Sequence, residues 1–376
     1  MAGYEERKKI IEELQKLRKS KIISYFTMTD RQNAPNLNIA DEAIRVIYQL
    51  LEKIGHTEKI DLFIYTRGGA MQSAYQIVKM IREYATEYYV IAPFRVHSAG
   101  TQIALGSNGI VMTKTGQLSP IDPFASNLFN PILNPALSPE LPQNRKIISV
   151  EDVEAYLNLS KNKVGLANED NSLEVFKELT KFYEPLALGN VTRTNKEARS
   201  IAKEVLSFHM DPKTESEKID RIVKSLTEEY THGFIVTRDM AEKIGLKVIK
   251  PSDDEEKLIM KLYQSYENEL KMTVPFDAES VLKGSSSTPS QQAQPSTPLP
   301  AGINPINSKK FKILLGVIES CDDSYVWVTD GTVYPSLIEI VPQLITQAGQ
   351  YPPNPIPNFQ IGCWIRTDVV KNEKFV

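Results

Sequence analysis

The chain lacks the residues that would announce several common classes of protein. Only two cysteines occur in 376 residues, Cys321 and Cys363, and neither has metal-ligand neighbours in sequence. A disulfide framework is not expected, and a reducing, cytoplasmic compartment is. No uncharged apolar run approaches the roughly 18 residues that suggest a spanning helix, so no membrane segment is expected. The opening MAGYEERKKIIEELQKLRKS is charged and has no apolar centre of the kind a signal peptide needs. Lys and Arg number 44 against 47 Asp and Glu, a formal net charge of −3. That balance argues against a general nucleic-acid or anionic-membrane surface. No G-x-G-x-x-G follows a candidate strand, so the dinucleotide-binding fingerprint is missing. Neither a metal nor an organic cofactor is implied.

What is present is an apolar fraction of 41%, enough for one sizeable α/β core and a second small domain. The organising stretch runs from Ile60 to Pro123. Three short apolar runs, Ile60 to Tyr65, Tyr88 to Ala92 and Gly109 to Met112, are bounded by turn residues and read as buried strands. Between the first two, Met71 to Tyr84 sets Ala74, Ile77, Val78 and Ile81 on one helical stripe that can pack on a sheet. Strands alternating with helices predict parallel strands joined by right-handed crossovers.

Two turns in this unit look chemical. After the first strand the chain passes through Thr66-Arg67-Gly68-Gly69, where a glycine pair lets backbone N–H groups approach a ligand closely. After the second, His97-Ser98-Ala99-Gly100 opens another helix, with the Ser98 hydroxyl at its positive end. The amides of Gly69 and Ala99 can then converge on one oxygen, as an oxyanion hole. The same residues have an ordinary reading. Glycine pairs are common in α/β turns, serine is a routine helix N-cap, and HSAG lacks the glycine that precedes the serine of a nucleophile elbow.

The runs FIYTRGGAMQSAYQIVKMI, HSAGTQIALGSNGIVM and SPIDP, with THGFIVTRDMAEKIGL at Thr231 to Leu246, together resemble the serine dehydrogenase proteinase family. That family is a branch of the Clp protease and crotonase superfamily, which also includes signal peptide peptidases. The resemblance covers roughly residues 20 to 250. It implies stacked βα units, Ser98 as nucleophile, Gly69 and Ala99 as oxyanion donors, and Arg67 and Gly68 at the substrate-binding edge. The family usually has Ser-Pro or Thr-Pro before the glycine pair, where this chain has Thr66-Arg67, and a small residue just before the serine, where it has Val96-His97. In some membrane-bound relatives the base is a lysine just before the helix that follows a long loop, and Lys146 occupies the comparable place. Other Clp-type enzymes put a histidine about two dozen residues after the serine; here Asp122 stands nearby and reads as a turn residue. His97 adjoins the nucleophile and is expected to point away. His209 and His232 remain alternative bases. A lysine base must be neutral, so its pKa has to fall from about 10.4 toward about 7 to 8, by burial or by a cationic neighbour such as Arg145.

The rest of the chain frames this unit. Glu5 to Leu17 is an amphipathic helix with Ile10, Ile11, Leu14 and Leu17 on one face, Lys21 to Met28 a strand, and Ile39 to Ile54 a helix. Phe124 to Gln143 is a proline-rich surface loop of the kind that borders active sites. Helices are predicted at Val150 to Asn158, Ser172 to Ala187, Asn195 to Phe208, Thr214 to Leu226 and Asp253 to Met272. Relatives pack subunits through helices in this region, so a homo-oligomer is expected, with a satisfied core within the chain as the alternative use of these helices. Nothing in 284–308 can form a core, and it reads as a flexible linker. The predicted domains are therefore 1–283, ClpP/crotonase-like, and a small β-rich accessory domain at 309–376. The aromatics Tyr325, Trp327, Tyr334, Phe359 and Trp364 form its core or a surface for an unknown partner.

The resulting expectation is a soluble serine peptidase acting on peptide or protein substrates. The alternatives are an inactive relative that binds peptides and, more weakly, acyl-CoA chemistry in which the oxyanion amides matter and Ser98 does not.

Overall fold

The computed structural model describes residues 2–121, 123–125, 128–133, 145–146, 148–166, 168–283, 308–334, 356–371 and 373–376. Two compact units emerge, one made of Met1–Thr66 with Ser252–Val376, the other of Arg67–Pro251.

The first unit begins with helix α1 (Ala2–Arg18), strand β1 (Lys21–Thr27), helix α2 (Glu42–Ile54) and strand β2 (Thr57–Tyr65). The α1 stripe buries Ile10, Ile11 and Leu14, but Leu17, predicted on the same face, is 48% exposed in the last turn. Every β1 residue after Lys21 is buried, as expected of a central strand covered on both faces. β1 and β2 run parallel, with Lys21 opposite Ile60 and Phe26 opposite Tyr65.

The second unit follows in chain order. Its helix α3 (Met71–Tyr84) leads to β3 (Ala85–Ala92), β4 (Arg95–Val96), α4 (Ala99–Leu105), β5 (Gly109–Met112) and β6 (Gln117–Leu118). Ala74, Ile77, Val78 and Ile81 of α3 are all buried, the stripe read from the sequence. α4 packs so closely on α3 that a Cβ on Gly106 would lie 2.4 Å from Val78 Cγ1. Next come β7 (Phe124–Ala125), β8 (Ile148–Ser149), α5 (Val150–Asn162), α6 (Glu169–Thr180), α7 (Pro185–Ser207), α8 (Ser216–Thr227), β9 (Val236–Thr237), α9 (Arg238–Ile244) and β10 (Val248–Ile249). β5 pairs in parallel with β3 and with β10. β4 pairs in parallel with β6, which pairs antiparallel with β9. The helix predicted from Ser172 to Ala187 divides instead at 181–184. Pro185 begins α7 at a position where its missing N–H costs nothing, and it could not have continued α6. Asp122 and residues 134–144 of the proline-rich loop lie outside the described residues.

The chain then returns to the first unit with α10 (Asp253–Glu269), α11 (Ala278–Lys283), β11 (Lys309–Glu319), β12 (Ser324–Tyr334), β13 (Ile356–Phe359) and β14 (Cys363–Arg366). The C-terminal segment is β-rich, as predicted, but the structure groups it differently from the division at 309. β11 lies antiparallel to β1, with Ser24 opposite Glu319 and Thr27 opposite Gly316. Its last seven residues are buried, so this strand is interior to a sheet. The proposed linker, 284–307, lies outside the described residues. Trp327 and Trp364 meet edge to face at 5.5 Å, as do Phe311 and Phe359, and Tyr325, Trp327 and Tyr334 are buried.

A buried ionic group ties the first helix to this sheet. Arg7, on α1, grips Glu319 of β11 through two hydrogen bonds of 2.6 and 2.9 Å, and it also pairs with Glu269 of α10. Tyr266 and Ser324 donate to the same Glu319 carboxylate at 2.7 and 2.9 Å. Burial alone would lower the Arg7 guanidinium, but its pairing with Glu319 and Glu269 together outweighs that and holds it above its ordinary range. A pair of this kind contributes little beyond an apolar substitute, whereas an orphaned partner is costly. Arg7→Ala should therefore destabilise the first unit by about 3 to 5 kcal/mol in urea unfolding, and the double substitution Arg7→Met with Glu319→Leu by clearly less.

Candidate active site

The glycine turn and the serine turn meet in the second unit. Gly68 is buried with φ +119°, a conformation that penalises any side chain. A Cβ there would lie 2.7 Å from Ser98 Cβ and 3.2 Å from Ser98 Oγ, so the glycine backbone packs directly against the serine side chain. Gly69 follows at φ +148° and is exposed, as is Arg67.

Ser98 stands at φ +50°, ψ −116°, outside the extended region in which an N-cap residue sits, and its hydroxyl makes no cap hydrogen bond. The routine N-cap reading is thereby overturned: the hydroxyl is not spent on the helix. A non-glycine residue in such a conformation costs on the order of 1–3 kcal/mol and persists where its surroundings over-determine it. They do so here. The N–H of Ser98 donates to Ser119 Oγ at 2.8 Å, and the N–H of Gly100 to the His97 carbonyl at 2.8 Å. All seven residues of α4 are buried, and Gln102 Nε2 reaches the Met71 carbonyl at 3.3 Å. Between those two engaged amides lies Ala99, the first helical residue, whose N–H falls outside the helix's own hydrogen-bond ladder.

Two of the histidines have other occupations. His97 Nε2 lies 3.1 Å from Gln117 Oε1, turned toward β6. His209, at the end of α7, lies with Nε2 2.9 Å from the carbonyl of Leu105, the last residue of α4. Burial lowers its pKa below the usual 6.5, against the opposing effect of that hydrogen bond.

Lys146 is held by its backbone. Its N–H donates to the Pro131 carbonyl and its carbonyl accepts from Asn130 Nδ2, both at 2.8 Å. The side chain is exposed, with Nζ 3.4 Å from the Tyr183 hydroxyl and 5.6 Å from the centre of that ring. Arg145, expected as a cationic neighbour, directs Nη1 to the Asn130 carbonyl at 2.8 Å. Thus the structure brings Gly68 and Ser98 together, while the contacts described for Lys146 are with the 130–131 turn and Tyr183. Ser119, Thr101 and Gln117, which hold the serine turn, were given no role in the sequence reading, where SPIDP entered as one of the family-like runs and as a turn.

Residues 1–144 match the model of a family described as ClpP-like SDH-type serine proteinase. The resemblance read in the sequence is thereby shown over that part of the chain, which takes in both turns and stops short of Lys146, and the match supports a peptidase-type function. An uncharacterized protein of Methanocaldococcus jannaschii is 26% identical over 266 residues, 69% of this chain and 78% of that protein. A second uncharacterized protein of the same organism is 38% identical over 64 residues, 17% of this chain and 22% of that one. Among solved structures, the 1510-N membrane-bound stomatin-specific protease, in complex with a substrate peptide, is similar at 18% identity and a TM-score of 0.34, over 62% of this chain and 78% of that one. ClpP1 from Listeria monocytogenes is similar at 14% identity and a TM-score of 0.32, over 64% and 98%. Likenesses of this size carry no argument about chemistry. Among the described residues no helix is long and apolar enough to cross a membrane.

Two outcomes follow from the geometry. Gly68→Ala should push the serine turn out of place, cutting reaction of Ser98 with an acylating or phosphonylating probe by about 100-fold or more, with a stability loss of about 1–3 kcal/mol in thermal unfolding. The buried His209 resists protonation when folded. Its contribution is therefore fully present above pH 6.5 and is lost as the pH falls below that value, where the unfolded chain takes up the proton first. Urea unfolding followed from pH 8 to 5 should show that decline, and His209→Gln should flatten it.

Proposed function

We propose that this chain is a serine peptidase with Ser98 as its nucleophile. The observation that carries the reading is the Ser98 backbone at φ +50°, ψ −116°, with a hydroxyl left out of helix capping and packed against Gly68. A structural serine at a helix start has no reason to bear that strain. In this mechanism Ser98 Oγ attacks the peptide carbonyl carbon and its proton passes to the Lys146 amine. The tetrahedral oxyanion is held by the N–H groups of Gly69 and Ala99, with Gly68 and Arg67 along the substrate edge. The lysine then returns the proton to the leaving amine, and water releases the acyl group by the same path in reverse. Each oxyanion donor is worth about 3 kcal/mol of transition-state stabilisation. No cofactor takes part in these steps.

Peptides or unfolded proteins are the proposed substrates, the cytoplasm the proposed location and a homo-oligomer the working form. Exposed apolar side chains on and between the helices after the loop support self-association, among them Leu159, Val164, Phe176, Phe182 and Leu186, the largest exposure being 73% at Phe182. A partner for the C-terminal strands remains part of the proposal. One observation favours a second reading, an inactive peptide-binding relative: Lys146 is exposed and bonded to Tyr183.

Labelling with a fluorophosphonate, followed by mapping of the modified residue, separates the two. Modification of Ser98 in the wild type and its loss in Ser98→Ala is the result expected for a peptidase; folded wild-type protein that takes no label belongs to the second reading. Lys146→Ala should then lower the labelling rate at least 100-fold while leaving thermal unfolding within about 1 kcal/mol of wild type.

A further inference from the structure

The two short strands beside the serine turn depart from a regular ladder where the chain leaves them. β4 and β6 pair in parallel with Arg95 opposite Gln117 and Val96 opposite Leu118, and the Gln117 N–H donates to the Phe94 carbonyl at 2.9 Å. Continued by the regular parallel pattern, this ladder would send the Ser119 N–H to the Val96 carbonyl and the Ser98 N–H to the Ser119 carbonyl. Neither bond forms in that way. The Ser119 N–H donates instead to Thr101 Oγ1 at 3.1 Å, and that hydroxyl donates onward to the Val96 carbonyl at 2.8 Å. The Ser98 N–H is accepted by Ser119 Oγ at 2.8 Å, while the Ser119 hydroxyl donates to the Pro120 carbonyl at 2.9 Å. Two side-chain hydroxyls are thus spliced into the ladder at the point where the chain must leave it.

We infer that Ser119 and Thr101 are positioning residues for Ser98: their hydroxyls, one from just past β6 and one from the first turn of α4, open the β4–β6 ladder and hold Ser98 in its left-handed turn against Gly68. This rests on the reading of Ser98 as nucleophile. The physical argument is one of satisfied donors. Thr101 and Ser119 are buried at 0% and 2% exposure, so water is not at hand to replace either hydroxyl. Remove one, and a buried N–H or carbonyl loses its partner. The nearest remedy is for the strands to close the ladder, which draws the Ser98 backbone back toward an extended conformation and away from the glycine turn. The Ser98 N–H, committed to Ser119, also leaves the next amide, that of Ala99, as the one the turn presents for the oxyanion. Gln117 acts in the same direction through His97, whose ring it keeps 3.1 Å from its own amide oxygen.

The test compares Ser119→Ala and Thr101→Val, which delete the hydroxyls, with Ser119→Thr and Thr101→Ser, which retain them. Two readouts are taken on the full chain. The first is the rate of Ser98 modification by a fluorophosphonate across pH 6 to 9, divided into a binding constant and a maximal rate. The second is hydrogen exchange at the Ser98 amide. Positioning predicts that the deletions lower the maximal labelling rate by about 10- to 100-fold with the binding constant within about twofold, and that Thr101→Ser recovers it. It also predicts that the Ser98 amide, protected in the wild type, exchanges at least about tenfold faster in Ser119→Ala than in Ser119→Thr. Labelling rates and Ser98 exchange that match the wild type in folded Ser119→Ala and Thr101→Val would overturn the inference. If the wild type takes no label at all, the peptidase reading fails, and the exchange comparison still decides whether the hydroxyls hold the turn.

Discussion

A serine held at φ +50° is the constraint on which the rest of the second unit turns. Left to itself, an L-residue there would relax, because the conformation costs on the order of 1–3 kcal/mol. The surrounding elements make relaxation more costly still. α4 is buried along all seven residues and packs closely on α3 at Gly106 and Val78, which opposes any tilt of the helix that follows the serine. Gly68 fills the space on the other side without a Cβ, and any other residue would collide with Ser98 before strain in its own backbone was counted. His209 braces the far end of α4 through the Leu105 carbonyl. Ser98 is therefore placed by backbone geometry from several directions, which is what the proposed nucleophile's preorganisation requires.

Stability in the first unit has a different origin. Arg7, Glu319, Glu269 and Tyr266 gather into one buried polar group that joins the chain's first helix, its long C-terminal helix and a strand more than 300 residues after Arg7, since the Arg7–Glu319 separation is 312. Satisfied networks of this type add little net energy over apolar packing, but they penalise every arrangement that leaves one member alone. The sheet position of β11 beside β1 is thus specified by charge as well as by its apolar run. That accounts for a C-terminal segment that pairs with the N-terminal strand across a long intervening sequence.

Much of this could be read before any coordinates. The periodicity of Met71 to Tyr84 and the four-residue run Gly109 to Met112 fell on their elements without error, because one apolar face at one period admits a single solution. The strand-helix-strand order gave the parallel pairing of β3 and β5. What sequence could not show were relations between distant residues. β11 reads as an alternating-to-apolar strand wherever it sits, and nothing in FKILLGVIES names Ser24 as its neighbour, so a polar linker before it looked like the edge of a domain. The break before α7 was missed because Phe182 and Leu186 continue a helical stripe through Pro185. Ser98 and the glycine pair were legible as residue types. The hydroxyls of Ser119 and Thr101 were not, since a serine in SPIDP and a threonine inside a helix announce nothing about the ladder they interrupt.

The two halves of the proposed dyad differ in how far they are prepared. Ser98 is fixed from every side, whereas Lys146 projects outward with only the Tyr183 hydroxyl at 3.4 Å described beside its amine. A base must be held against the group whose proton it takes, so the proposed role of Lys146 requires that its exposed side chain be enclosed. Exposed apolar side chains lie close to its partners in sequence. Leu133 is 61% exposed beside the 130–131 turn that grips the Lys146 backbone, and Phe182 and Leu186 flank Tyr183 in sequence at 73% and 61% exposure. Apolar side chains left open in such number call for a cover. Covering them in a subunit contact would remove water from the lysine at the same time. In the proposed peptidase, self-association would then serve the base as well as the assembly.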